Sequence, residues 1–296
     1  MDYRTKCPLC NSKKYKVLEF KNLSNEKLYN FIKSNYNIEK YLSDKNYSYE
    51  LRYCLFCGTR YQTNVLDENE SRELYSHSIQ PQKSFFKQIF NYKKNLIVRK
   101  KTAKFLKKLF KSRDQKIHKA LEIGAGWGFF AHLSKEFKFE FTTLEISAER
   151  RKFHDFLKLK NINDFNDALK KRKKYDLIYS NQVLEHISDI NLFVKNCNNL
   201  LKVNGYFVAE FPSYNHYLHY FSNKKYFYND KRTKALEHLQ LISDKGIRQL
   251  IKNNASFEYC EKLPLRRYGD RLRYFLQNLT PIKLRGKGFV VAKKIK

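Results

Sequence analysis

Runs of apolar residues alternate with amphipathic segments through the second half of the chain. Four short apolar runs are typical of buried strands, and helix-like segments lie between them. The runs cover residues 120–123, 139–144, 175–179 and 206–209. Because strands that alternate with helices form βαβ units, the pattern predicts an α/β fold with a parallel sheet from residue 120 onward.

The preceding segment has a different pattern. Its apolar residues recur close to helical spacing, and lysines and arginines fill most positions between them. These apolar residues are Phe86, Ile89, Phe90, Ile97, Ala103, Leu106, Leu109 and Phe110. The spacing predicts amphipathic helices. We expect them either to pack on the following domain with a solvated basic face, or to bind a phosphate-bearing substrate, RNA or an anionic membrane leaflet.

These patterns and the positions of the cysteines divide the chain into three segments. Residues 1–66 contain two CxxC pairs and are expected to form a zinc-ribbon-like subdomain. Residues 67–119 are expected to form a basic helical connector, and residues 120–296 carry the α/β pattern. A chain of 296 residues accommodates one large domain with such an appendage. The two cysteines outside the pairs, Cys197 and Cys260, are expected to lie in the core.

Composition narrows the class of protein. Hydrophobic residues make up 42% of the chain, which excludes global disorder. No apolar run approaches the ~18 residues of a membrane span, and the N-terminus lacks the apolar stretch of a secretory signal. We therefore predict a cytoplasmic protein. The net charge of +31 attracts polyanions at long range, but A/T-rich codons also enrich lysine, so charge alone does not establish a nucleic-acid partner.

Three glycines at alternate positions follow the first apolar run. Gly124, Gly126 and Gly128 precede a helix-like segment, and glycine there lets the backbone turn tightly and approach a ligand without a Cβ. The pattern is GxGxG, whereas dinucleotide-binding loops are typically GxGxxG. A dinucleotide places its pyrophosphate at the helix N-terminus, but a sulfonium nucleoside has none. The loop therefore favours a sulfonium nucleoside over a dinucleotide.

Polar residues end the later runs. Glu145 closes the second run, where a carboxylate can accept hydrogen bonds from both hydroxyls of a ribose. The third run continues through Asn181 and Gln182 into a loop that contains Glu185 and His186. Each of these motifs alone is a weak indication of function, whereas their order and spacing together are specific.

This succession resembles the class I S-adenosylmethionine-dependent methyltransferases. The segments LEIGAGWG, YDLIYSNQVLEHISD and LKVNGYFVAEFPS are similar to motifs of that family, and the resemblance covers about residues 117–296. It implies a Rossmann-like sheet that binds S-adenosylmethionine as methyl donor. The implied cofactor-binding residues are Gly124, Ala125, Gly126 and Gly128 around the methionine tail, Glu122 at its ammonium group, Asn181 and Gln182 beside it, Glu145 at the ribose, and Asp164 in preference to Asp167 at the adenine.

The two CxxC pairs predict a metal site. Cys7 with Cys10, and Cys54 with Cys57, supply four thiolates, which suit a tetrahedral zinc ion. Four protein ligands leave no open position, so we predict a structural zinc. The pairs lie far apart for a ribbon, which indicates an insertion such as the helix-like residues 25–42. A redox role for either pair is the alternative.

The ribbon also resembles a subset of these methyltransferases. In that subset a CPxC…RYCxxCG ribbon and a short Leu-Tyr segment, here Leu74 and Tyr75, precede the catalytic domain. The resemblance implies an acceptor that is a sugar, a sugar nucleotide or a related small metabolite, and a place in surface-polysaccharide biosynthesis. An RNA methyltransferase that uses the basic surface is one alternative. A non-catalytic partner subunit of the same fold is another.

Methyl transfer is an in-line displacement, and holding acceptor and methyl group in line supplies much of the acceleration. A hydroxyl acceptor must also lose a proton, for which a histidine is suited. His186 is the candidate base, with a structural loop histidine as the alternative, and His238 is a second candidate. The aromatic stretch 211–228, with Lys224 and Lys225, is expected to line the acceptor pocket or to pack as a lid.

Overall fold

The computed structural model describes residues 2–36, 47–75, 81–110, 116–212, 228–229, 233–254, 256–260 and 287–296. The strands of this part are β1 (Asp2–Tyr3), β2 (Tyr15–Asn22), β3 (Ser48–Cys54), β4 (Arg60–Gln62), β5 (Asn64–Val65), β6 (His118–Ile123), β7 (Phe139–Leu144), β8 (Lys160–Ile162), β9 (Tyr175–Asn181), β10 (Leu201–Pro212), β11 (Gln240–Leu241), β12 (Phe257–Tyr259) and β13 (Lys287–Lys294). Its helices are α1 (Glu26–Tyr36), α2 (Glu68–Glu73), α3 (Pro81–Phe90), α4 (Tyr92–Leu109), α5 (Phe129–Ser134), α6 (Ala148–Phe156), α7 (Phe165–Lys170), α8 (Ile190–Leu200) and α9 (Asp244–Lys252).

The central sheet has, within the described ranges, seven strands in the order β12-β13-β10-β9-β6-β7-β8. From β8 to β10 neighbouring strands run parallel, and β13 runs antiparallel to both of its neighbours. Helices follow the parallel strands in sequence, as the alternating pattern predicts. The α/β prediction is therefore confirmed.

Core residues cover both faces of this sheet, because side chains alternate along each strand. Leu121 and Ile178 belong to one cluster, which packs against α8 and α9. Ala120 and Leu177 belong to another, which packs against α4 and α5. Burial on both faces explains why the strands read as continuous apolar runs in the sequence.

The N-terminal segment forms its own antiparallel sheet, and a strand from far along the chain completes it. The order is β11-β4-β3-β2, with Gln240 opposite Tyr61. The hydroxyls of Thr59 and Ser243 lie 3.0 Å apart, and Asn191 Nδ2 donates to the Pro8 carbonyl at 2.7 Å. The N-terminal sheet therefore packs directly on the central part.

The segment 67–119 is helical over most of its described residues, as predicted. A capping box starts α2, since Asp67 accepts from the Glu70 backbone and the Glu70 side chain accepts from the Asp67 backbone. Helices α3 and α4 meet at Asn91, and the Gln88 side chain of α3 accepts hydrogen bonds from Asn95 and Arg99 of α4. We name this pair of helices the elbow. No helix within the described ranges has both the length and the apolar character needed to cross a membrane.

Three smaller predictions have different outcomes. The insertion between the cysteine pairs contains a helix, but α1 covers only residues 26–36, and residues 37–46 lie outside the described part. Cys197 is buried, as predicted, whereas Cys260 is only half-buried because it follows the edge strand β12. Of the aromatic stretch, residues 213–227 also lie outside the described part, and Lys224 and Lys225 with them.

Candidate active site

The glycine loop leaves the central sheet where the order of its strands reverses. β6 has β7 on one side and β9 on the other, and ligands of open α/β sheets bind at the carboxyl edge of such a point. Gly124, Gly126 and Gly128 have φ angles of 66°, 56° and 73°. These left-handed angles favour glycine, so the path of the loop explains the three alternate glycines.

The surroundings of the three glycines differ. A Cβ at Gly124 would lie 2.4 Å from Val183 Cγ2, and one at Gly128 would lie 2.8 Å from Leu159 Cδ1. A Cβ at Gly126 would meet nothing within 4 Å. The first and third glycines therefore allow close packing, whereas Gly126 borders open space, where the backbone can approach a ligand.

Glu145 joins this loop to the end of β7. Its buried carboxylate accepts from the backbone N–H of Gly126 at 2.8 Å and from that of Ser147 at 3.0 Å. Arg150 Nη1 lies 3.7 Å from Oε1. The carboxylate thus lies directly beside the loop, at the end of the strand next to β6, and it fixes the Gly126 backbone.

Glu122 is a second buried carboxylate, near the end of β6. The residue is 5% exposed, and its Oε2 atom has no hydrogen-bond partner among the described residues. Burial raises the pKa of Glu122 to about 8, against the opposing effect of the Arg99 guanidinium. A buried carboxylate oxygen without a partner is unfavourable. A ligand with an ammonium group would satisfy it, and the amino-acid end of S-adenosylmethionine carries such a group.

His154 is part of the same site, although the sequence analysis did not identify it. This fully buried residue of α6 donates through Nε2 to the Gly126 carbonyl at 2.8 Å, and its Nδ1 lies 3.0 Å from the Thr143 hydroxyl. Burial lowers the pKa of His154, so the ring is neutral at neutral pH. Glu145 and His154 therefore hold the N–H and the carbonyl of one glycine.

The remaining predicted cofactor residues lie along the same edge of the sheet. Asn181 and Gln182 are exposed at the end of β9, and the Gln182 backbone N–H donates to the Glu210 carbonyl at 2.8 Å. Asp164 follows β8 and caps α7, accepting from the Asp167 backbone at 2.8 Å. Asp167 pairs with Lys171.

His186 lies in a cluster of polar side chains after β9. Its Nδ1 donates to the Glu237 carbonyl at 2.8 Å and lies 2.6 Å from the Tyr75 hydroxyl. Its ring centroid is 4.7 Å from that of His238, and its Nε2 lies 3.7 Å from Glu185 Oε1. Burial and the neighbouring His238 lower the pKa of His186 to about 3. The ring is therefore neutral at neutral pH, and Nε2 is its basic nitrogen.

Comparison with known proteins identifies the family. A family model described as a methyltransferase domain matches residues 92–260, more than half of the chain. The chain belongs to this methyltransferase family. Membership, together with the sheet order, confirms the prediction of a class I S-adenosylmethionine-dependent methyltransferase.

Solved structures show the same fold as this methyltransferase. The plantazolicin methyltransferase BamL, solved with a triazolic desmethylPZN analog and SAH, has a TM-score of 0.52 and 15% identity, over 73% of this chain and 92% of that one. The plantazolicin methyltransferase BpumL, in complex with SAH, has a TM-score of 0.50 and 14% identity, over 73% and 91%. At identities this low, the structural similarity establishes the fold alone.

A curated relative is similar over a shorter segment. The ubiquinone biosynthesis O-methyltransferase of Pelagibacter ubique (strain HTCC1062) is 32% identical over 93 residues, which is 29% of this chain. The match spans only 39% of the length of that relative.

The four predicted zinc ligands of the methyltransferase lie together. The sulfur atoms of Cys7 and Cys57 are 3.7 Å apart, those of Cys10 and Cys54 are 3.5 Å apart, and all four lie within 4.8 Å of one another. Thiolates at about 2.3 Å from a tetrahedral zinc lie roughly 3.8 Å apart. The donor set and its spacing therefore fit zinc.

The elbow covers the glycine loop of the methyltransferase. Phe85 packs on Trp127 with ring centroids 4.8 Å apart, and the indole N–H of Trp127 donates to the Ser84 hydroxyl at 2.9 Å. The helical spacing predicted a packed connector but gave no position for it. The available signal was Trp127, since a large apolar side chain in a ligand-binding loop needs a packing partner.

Proposed function

We propose that the protein transfers the methyl group of S-adenosylmethionine to a hydroxyl of a sugar, a sugar nucleotide or a related small acceptor. The observation that carries the proposal is the imidazole of His186, whose Nδ1 donates to the Glu237 carbonyl and whose Nε2 can accept a proton. It lies in the loop after β9, whose Val183 packs against Gly124. A hydroxyl acceptor needs a proton acceptor at this point.

The donor side of the proposal rests on the glycine loop. Gly126 borders open space, and Glu122 offers an unpaired buried oxygen for the ammonium group of the donor. Glu145 and Asp164 lie at the ends of successive parallel strands, which suits the ribose and the adenine. Asn181 and Gln182 then lie beside the methionine part, and Ala125 contributes backbone between the glycines.

The acceptor side rests on the polar cluster around His186. Tyr75 belongs to this cluster, because its hydroxyl lies 2.6 Å from Nδ1 of His186. In the transfer, the bond between sulfur and the methyl carbon breaks as the acceptor oxygen bonds to that carbon. The hydroxyl proton moves to Nε2 of His186, which lies 3.7 Å from Glu185 Oε1.

The choice of a sugar-like acceptor is supported by the sequence of the ribbon and by the hydrogen-bonding groups of the cluster. Tyr75, His186 and His238 offer several polar atoms to an acceptor with several hydroxyls. We propose a place in surface-glycan biosynthesis on the same grounds. The named relative is an O-methyltransferase of ubiquinone biosynthesis, so an acceptor from ubiquinone biosynthesis is a second candidate to test.

Transfer of a labelled methyl group tests the proposal. Purified protein and S-adenosylmethionine labelled on its methyl group are added to a cell extract, which is then separated into small-molecule, glycan, lipid and RNA fractions. Label in sugar nucleotides or glycan is expected. Label released from RNA by nuclease would establish the alternative RNA methyltransferase, and donor binding without any transfer would favour a non-catalytic partner subunit.

Two variants test the residues. We expect His186→Asn to lower kcat by about 10²-fold or more, the usual range for a proton acceptor, while the dissociation constant of S-adenosylmethionine stays unchanged. His238→Asn is expected to lower kcat less. Equal kcat values in His186→Asn and the parent protein would remove the assignment of the base.

A structural zinc at the four cysteines belongs to the same proposal. Cys7, Cys10, Cys54 and Cys57 would hold the ion and connect the first turn of the chain to the hairpin of β3 and β4. The ion would stabilise the N-terminal sheet and take no part in methyl transfer, because four protein ligands leave no position for an acceptor.

A further inference from the structure

The elbow exposes apolar side chains that no described part of the chain covers. On α3, Phe86 is 70% exposed and Phe90 is 92% exposed, with the half-exposed Ile89 on the same helix face. On α4, Ile97 is more than half exposed. We name these four residues the elbow patch. Single exposed apolar residues are common, but a cluster with two almost bare phenylalanines indicates a binding surface.

Lysines surround the elbow patch. Residues 81–110 contain no acidic residue, so no carboxylate of the two helices neutralises the patch. The exposed lysines of this segment are Lys83, Lys87, Lys93, Lys94, Lys101, Lys104 and Lys108. Apolar side chains beside clustered lysines are complementary to an anionic lipid surface, where the rings enter the acyl boundary and the ammonium groups reach the phosphates.

Two other occupants fit less well. RNA would engage the lysines and could stack on phenylalanine, but Ile89 and Ile97 have no ring face for a base. The opposite side of α4 packs on the interior of the protein, where Ala103, Leu106 and Leu109 are buried. The elbow patch can therefore contact an external surface that accepts both aliphatic and aromatic side chains.

We propose that the elbow patch docks the protein on anionic phospholipid membranes. Phe86, Ile89, Phe90 and Ile97 insert at the boundary of the acyl chains, and the surrounding lysines bind the phosphate groups. Because Phe85 and Ser84 of the same elbow contact Trp127, docking places the glycine loop at the membrane surface. The proposal does not depend on the proposed function, because lipid binding is measured without turnover.

Co-sedimentation with vesicles tests the docking. The full-length protein is mixed with vesicles of phosphatidylcholine, with and without phosphatidylglycerol. We expect binding only to the anionic vesicles, weakened about tenfold or more by the double variant Phe86→Ser/Phe90→Ser. The matched control is Phe20→Ser, which removes a 59% exposed phenylalanine from β2 in the N-terminal sheet and should bind as the parent protein does.

A reporter variant covers the case in which the double variant misfolds. Phe90→Trp places an indole at the most exposed position, and its emission should shift to the blue with anionic vesicles, whereas Phe20→Trp should not respond. Vesicle binding that is insensitive to the double variant would overturn the proposal. So would a concentration-dependent dimer that the double variant abolishes, or RNA binding through the patch without any vesicle binding.

Discussion

A histidine outside the glycine loop determines the geometry of that loop. We predict that His154→Phe, which removes the hydrogen bond to the Gly126 carbonyl, weakens binding of S-adenosylmethionine about tenfold or more, because this carbonyl loses its donor. Calorimetric titration gives the dissociation constant. The matched control, His132→Phe, changes an exposed histidine on α5 and should leave it unchanged. Equal affinities for the His154 variant and the parent would contradict this role.

The buried Glu122 predicts a pH dependence of stability. Its pKa is about 8 in the folded protein, against 4.5 as the ordinary value. Between these values the unfolded chain releases its proton while the folded protein retains it, so the free energy of unfolding falls as pH rises from about 4.5 to 8. We expect Glu122→Gln to stabilise the ligand-free protein by about 2 to 4 kcal/mol more at pH 8.5 than at pH 5.

Urea unfolding of the parent protein and of Glu122→Gln at the two pH values measures that difference. Glu136→Gln, on an exposed side chain, is the control and should show no pH-dependent gain. A difference between parent and Glu122→Gln that is the same at pH 5 and pH 8.5 would show that Glu122 is already ionised in the folded protein.

Some residues of the candidate site are predictable from the sequence and others are not, for a physical reason. Gly124, Gly126 and Gly128 were predictable because the backbone angles of a tight turn impose glycine locally. His154 and Tyr75 act across the fold, through hydrogen bonds to residues far away in sequence. An isolated histidine or tyrosine carries no local signature of such a contact.

Among the elements, the two cysteine pairs join the start of the chain to the hairpin of β3 and β4. We predict one zinc per chain and its loss in Cys54→Ser, with a lower melting temperature, because metal binding and folding are coupled in small sites. Elemental analysis and thermal unfolding measure both. Cys260→Ser, a change at a half-buried cysteine outside the site, should keep the zinc. A parent protein purified without chelator that contains no zinc would contradict the prediction.

The pattern of the sequence predicted the parallel strands but not the pairing of β11. Strands β6, β7, β9 and β10 contain continuous apolar runs, which indicate burial on both faces. β11 has two residues, and its position depends on the edge of β4, which is far away in sequence. Short edge strands of this kind have no periodicity of their own.

At the scale of the whole molecule, the N-terminal sheet and the central sheet share one core. The same buried cluster contains Leu9 and Tyr61 from the first and Ile123 and Leu250 from the second. We therefore predict that a protein lacking residues 1–66 unfolds at a clearly lower temperature than the full chain or aggregates, although residues 120–296 carry the methyltransferase sheet.

Thermal unfolding of the shortened and the full chain measures this effect. The elbow double variant Phe86→Ser/Phe90→Ser is the control, since it removes apolar surface that is already exposed and should unfold near the parent temperature. A shortened chain that unfolds at the parent temperature would show that the two parts fold independently.

The pairing of β4 with β11 also sets an order of events during synthesis. Gln240 pairs with Tyr61, about 180 residues earlier, and a ribosome that adds 5–20 residues per second needs on the order of ten to forty seconds to cover that distance. During this interval the edge of β4 has no partner, because β11 has not been synthesised, whereas both CxxC pairs are already part of the chain. Zinc captured at that stage would hold the nascent sheet together while its edge is open, so in a cell short of zinc every new chain would expose that edge on a sheet that no metal stabilises.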